Sequence, residues 1–64
     1  MAHYEKLVRE LLVKNKCYFL RHGKGDHDIW FSPITKLPIT VDSKIVSRHT
    51  ANGIMTRAGI KWHF

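Results

Sequence analysis

The sequence predicts an α+β fold in the order α-β-β-β-α. Three observations predict it. Apolar residues near the N-terminus recur at helical spacing. The middle holds three short apolar runs separated by turn residues. A second helical run follows and stops at a glycine.

Residues 3–14 read as an amphipathic helix. Leu7, Val8, Leu11 and Leu12 keep to one helical face and Tyr4 extends the stripe, while Glu5, Lys6, Arg9, Glu10 and Lys14 fall mainly on the other. Asn15-Lys16 ends it, Asn being a residue that tolerates the left-handed conformation of such stops. Residues 17–22 read as a first strand with apolar groups on both faces. Gly23-Lys24-Gly25-Asp26 is a turn whose glycines supply positive φ. Residues 27–32 form the second strand, and Pro33-Ile34-Thr35-Lys36 turns the chain again. Residues 37–41 form the third strand, which Pro38 confines to an edge or to a late start, because proline donates no ladder bond.

A polar connection over 42–46 leads to the second helix. Ser47 or Thr50 caps it, Ile54, Met55 and Ala58 give it an apolar face, and Gly59 ends it. Gly53 inside this helix weakens it by about 1 kcal/mol relative to alanine, which predicts close packing on the sheet or the first helix. In the tail, Ile60 is expected to tuck back, and Trp62 and Phe64 either cover the core or offer a contact surface. Short strands joined by tight turns favour an antiparallel meander, with both helices on one face and the other face more open.

The chain of 64 residues is expected to be a single domain, 1–64. A domain this short buries only about 60% of its unfolded surface, so any site on it is shallow. Hydrophobic residues make up 44%, too many for a disordered tail. Eleven Lys and Arg against five Asp and Glu give a formal charge of +6, which favours polyanionic partners, chiefly nucleic acid. Cys17 is the only cysteine, so the sequence offers no disulfide framework and no cysteine pair for zinc; this suits a reducing cytoplasm. Met1-Ala2-His3-Tyr4-Glu5-Lys6 has no signal-peptide pattern, and no apolar run reaches the roughly 18 residues of a membrane span.

Leu7-Val8-Arg9-Glu10-Leu11-Leu12, Tyr18-Phe19-Leu20-Arg21, Gly25-Asp26-His27-Asp28-Ile29-Trp30 and Thr50-Ala51-Asn52-Gly53-Ile54-Met55-Thr56-Arg57-Ala58-Gly59-Ile60 follow one another across most of the chain. In that order and spacing the chain resembles the HicA toxins, small mRNA interferases whose fold is like a double-stranded RNA-binding domain. The four pieces resemble the family's opening helix, its first strand, its glycine–small residue–histidine–apolar strand signature and its closing helix. The chain departs from that pattern at Lys16, Asp26, Asp28 and His49, where the family usually or often has glycine, serine, a second histidine and glycine. The resemblance implies the toxin of a type II toxin–antitoxin system, active in stress response, that hydrolyses mRNA in the cytoplasm. It also implies that His27 is catalytic and that a HicB-type antitoxin holds the toxin inactive by covering it.

The residues themselves allow this chemistry. RNA is cut without a metal or other cofactor when its own 2′-hydroxyl attacks the adjacent phosphate, and an imidazole can act as base or acid in that reaction. Cations or backbone N–H groups must meet the charge on the phosphorane. Lys24 and the Gly23 and Gly25 amides lie one turn from His27, and Arg21 is on the neighbouring strand. Lys44 and Arg48, at the entry to the second helix, resemble in position the phosphate-binding end of a double-stranded RNA-binding domain, where the helix N-terminus adds its positive end. Regular strand alternation places Ile29 and Phe31 on the face of His27 and Asp26, Asp28 and Trp30 on the other, unless the turn breaks it. His22 is an alternative second acid or base, and His49 could reach phosphate. Five histidines without paired cysteines or His-x-x-x-His spacing make no metal site. Cys17 reads as core rather than as a nucleophile. A non-catalytic RNA-binding module of the same fold is the alternative function. A protein-interaction domain anchored by Trp30, Trp62 and Phe64 is a third.

Overall fold

The computed structural model describes residues 3–64; Met1 and Ala2, at the start of the stretch read for a signal pattern, lie outside the described residues. The elements are α1 (Glu5–Lys14), β1 (Tyr18–His22), β2 (His27–Ser32), β3 (Leu37–Asp42) and α2 (Arg48–Ala58), in the expected order. The strands form one antiparallel sheet in the order β1-β2-β3, and β3 is an edge strand, as Pro38 requires.

One face of the sheet is covered. Trp30, Ile39 and Val41 meet Val8 and Leu12 of α1 and Ala51, Ile54, Met55 and Ala58 of α2, with Cys17, Ile45 and Ile60 closing the core. The stripe of α1 is narrower than its sequence suggests, because Leu11 is partly buried and Leu7 is exposed. Trp30 is 8% exposed and belongs to the core, which removes it as a surface anchor. Phe64 packs edge-on against Tyr4 at 5.3 Å and Trp62 stays exposed, so the tail divides the two roles considered for it.

Both helices close in the same way. Lys16 and Gly59 adopt positive φ of 67° and 74°. The amides of Lys16 and Cys17 donate to Val13 and Leu12, and those of Gly59 and Ile60 to Thr56 and Met55. These are paired Schellman bonds, and in each a buried residue just past the stop sits by a buried residue of the last turn. The left-handed residue ending α1 is therefore Lys16. Asn15 has φ −97° and donates through its side chain to Leu11. Ser47 is the N-cap of α2 and accepts from the Thr50 amide.

Two glycines differ from expectation. Gly25 supplies positive φ at 61°, whereas Gly23 has none and stands in a tight place, since a Cβ there would lie 3.1 Å from Ile29 Cδ1 and 3.2 Å from the His27 carbonyl oxygen. Gly53 packs against nothing, because a Cβ at that position would meet no atom within 4 Å. Its missing side chain opens a groove beside β3 instead of permitting close contact.

Candidate functional site

The β2–β3 register places the candidate histidine. Pairing runs from Ser32↔Leu37 at the turn to His27↔Asp42 at the far end. His27 stands on the open face with Ile29 and Phe31, as alternation predicts, while Trp30 and Ser32 on the other face are buried. Nδ1 of His27 lies 2.7 Å from Oδ1 of Asp42, with both side chains partly exposed. The Asp42 carboxylate is thus in close electrostatic contact with the Nδ1 side of the ring, a neighbour that can favour proton exchange through Nε2.

By sequence Asp42 falls in the polar connection, apart from His27. The signal for the pair was present in the four-residue turn after Ser32. Once that turn closes Ser32 on Leu37, antiparallel counting carries His27 to Asp42.

The neighbouring aspartates have other positions. Asp28 faces the helix side, where Oδ1 lies 2.8 Å from Nδ1 of His22. A bulge in β1 makes that pair possible: between Phe19 and Arg21 the register shifts by one residue. Phe19 and His22, three apart, therefore share a face and their rings meet at 5.2 Å. His22 is thus on the opposite face from His27, which removes it as the second acid or base of the same site. Asp26 lies in the turn and lines the same hollow as His27, together with Asp42, Ser43 and Lys44.

Of the candidate phosphate ligands one lines this hollow and the others stand outside its lining. Lys44 lines it directly. Its loop is tied down on three sides: the Tyr4 amide donates to the Ile45 carbonyl at 2.7 Å, the Ile45 amide to Glu5 Oε2 at 2.9 Å, and the Ser43 amide to the Asp26 carbonyl at 3.1 Å. Ile45 is buried, so Lys44 is presented from a fixed backbone. The Ile45 amide beside Glu5 holds that carboxyl below the ordinary carboxylate range. Arg21 pairs opposite Ile29 and so shares the open face with His27. Lys24 and Gly25 form the exposed tip of the β1–β2 turn, immediately before His27. The Gly23 amide is committed to the His27 carbonyl at 2.7 Å, which leaves Gly25 as the glycine able to offer its N–H to phosphate. Arg48 is the exposed first residue of α2, beyond the Lys44 loop.

The charge pattern sharpens this picture. Among the described residues every short contact between a basic side chain and a carboxylate joins a histidine to an acid: His3 to Glu5, His22 to Asp28 and His27 to Asp42. None of the eleven Lys and Arg side chains belongs to one. Their charge is therefore not neutralised by direct pairing, although Arg9 lies near enough to Glu5 to help hold that carboxyl ionised. Cys17 is buried, in keeping with a core role. No helix among the described residues is long and apolar enough to cross a membrane. No protein-family model matches the chain, and no curated protein or solved structure is significantly similar to it.

Proposed function

We propose that this protein is a cytoplasmic endoribonuclease toxin that cleaves mRNA without a metal, with His27 as its general acid or base and a HicB-type antitoxin as its partner. The observation that carries the reading is the 2.7 Å contact of His27 with Asp42 in an open hollow lined by Lys44. The ordered sequence resemblance and the unpaired positive charge support it.

In this reading the RNA backbone crosses the hollow with one phosphate near His27. Nε2 takes the proton of the 2′-hydroxyl as that oxygen attacks phosphorus, or gives a proton to the departing 5′-oxygen. Asp42 keeps the ring oriented and meets the positive charge it carries while protonated. Lys44, Arg21, Lys24, the Gly25 amide and Arg48 offset the charge of the phosphate and its neighbours. DNA lacks the attacking hydroxyl, so the mechanism selects RNA by chemistry.

The test compares wild type with His27→Ala on single-stranded RNA and on growth after expression. Cleavage is expected to fall by about 10²–10⁴-fold, the usual contribution of one general acid or base. A folded His27→Ala protein as active as wild type would sink the reading. A non-catalytic RNA-binding module is favoured by one observation, that His22 is held by Asp28 on the other face and leaves a single imidazole at the hollow. Tight, salt-sensitive RNA binding with no cleavage by wild type would select that alternative.

A further inference from the structure

The groove opened by Gly53 lies outside the site described above but adjoins it. His49, Gly53 and Arg57 follow one another at four-residue intervals along α2, so they form one stripe with a gap at its centre. Across from them are Thr40 and Asp42 of β3, and the floor includes Ile54. The groove holds about 250 Å³, slightly below the range of drug-sized sites, and suits one nucleotide rather than a folded partner. Asp42 lines both this groove and the hollow that holds His27, so the two adjoin at this side chain.

We propose that the Gly53 groove seats the nucleotide next to the cleaved phosphate, with Arg57 and His49 meeting its phosphate and Asp42 its ribose. The proposal rests on the ribonuclease reading of His27. The groove runs about 12 Å along the helix from His49 to Arg57, by the rise of eight residues. Asp42 repels a phosphate at the end near His27 but accepts a hydrogen bond from a ribose hydroxyl there. Arg57, outside every ion pair among the described residues, attracts the next phosphate at the far end. Ile54 gives an apolar floor on which a base can rest. An ordinary helix residue in place of Gly53 would fill the gap between His49 and Arg57. The helix therefore keeps a glycine that weakens it where a substrate needs room.

The open space at Gly53 makes the test direct. Gly53→Leu fills the groove without meeting a neighbour at Cβ, and Gly53→Ala reports whether the helix tolerates a side chain there. Binding is read with a single-stranded oligoribonucleotide that keeps its 2′-hydroxyls but carries a methylene group in place of each leaving 5′-oxygen, so that cleavage is chemically blocked. Gly53→Leu is expected to weaken this binding roughly tenfold or more, while melting stays at or above the wild-type temperature, since either residue favours a helix over glycine. Titration of wild-type protein with the same oligonucleotide is expected to shift the Gly53 amide and the Arg57 side-chain resonances. Unchanged binding by folded Gly53→Leu, or silent Gly53 and Arg57 resonances at saturation, overturns the proposal and leaves the ribonuclease reading intact if His27→Ala is inactive. If His27→Ala cleaves normally while Gly53→Leu loses binding, the ribonuclease role of His27 fails and the groove stands as an RNA-binding site.

Discussion

Ser32 Oγ donates a 2.7 Å hydrogen bond to the carbonyl of Ala58, joining the end of β2 to the last turn of α2. That carbonyl lies past the end of the helical ladder and needs an outside donor. Ser32 is fully buried, and its oxygen also accepts from the Ile34 amide at 3.3 Å. Thr35 serves the Arg57 carbonyl in the same way at 3.1 Å, from a more exposed position. Ser32→Ala is therefore expected to destabilise the fold by about 1–3 kcal/mol, the range for a buried carbonyl left without its donor. Thr35→Ala should lower stability less. Urea unfolding of the two variants checks the order.

The two helix stops make a second pair of opposite predictions. Lys16 holds a left-handed conformation that glycine adopts without strain, so Lys16→Gly is expected to stabilise the protein by about 0.5–1 kcal/mol. At Gly59 the same conformation is combined with crowding: a Cβ would lie 2.8 Å from Ile34 Cγ2. Gly59→Ala should then destabilise by about 2 kcal/mol or more. Thermal melts of both variants must move in opposite directions.

Acid should loosen the Lys44 loop before it unfolds the core. The Ile45 amide holds the Glu5 carboxyl below its ordinary value of 4.5, so the folded state favours the ionised form. The stability this contributes is present above the ordinary value and is lost as pH falls through the lower, folded-state value. Glu5→Gln is expected to flatten the fall in urea midpoint on the acid side of that window. Amide exchange at Ile45 should rise in wild type over the same interval.

In the proposed ribonuclease mechanism Asp42 acts through His27, so its removal should show in catalysis more than in folding. Asp42→Asn keeps the shape of the side chain and removes its charge, so RNA cleavage is expected to fall by about tenfold or more. His22→Ala breaks the comparable pair with Asp28 on the other face and should leave cleavage at the wild-type rate.

The fold was legible wherever a residue type forces its own geometry. Pro38 marked an edge strand, Gly59 a helix stop, Ser47 a cap, and the β2 pattern set His27 against Trp30. It was less legible where an ordinary residue takes an uncommon role. Lysine carries no signal of a left-handed position, so Lys16 was overlooked in favour of Asn15. Gly53 suggested close packing because glycine in a helix lacks a local benefit, yet only the placement of β3 shows that it faces a gap. The His27–Asp42 pair depends on register, and the His22–Asp28 pair depends on a bulge that no single residue announces. Pairwise chemistry across strands is a property of alignment, which composition and periodicity do not encode.

The bulge in β1 also bears on how this small sheet avoids growing. Its outer rim exposes Tyr18, Phe19 and Leu20, each more than two-fifths accessible, beside backbone groups that no fourth strand satisfies. An incoming strand matching the first rungs would lose step at Leu20 and then meet Arg21, which limits templating to a short stretch. At the opposite rim Pro38 withholds a donor. Among the described residues the two rims of this three-stranded sheet are thus guarded by one irregularity and one imino acid.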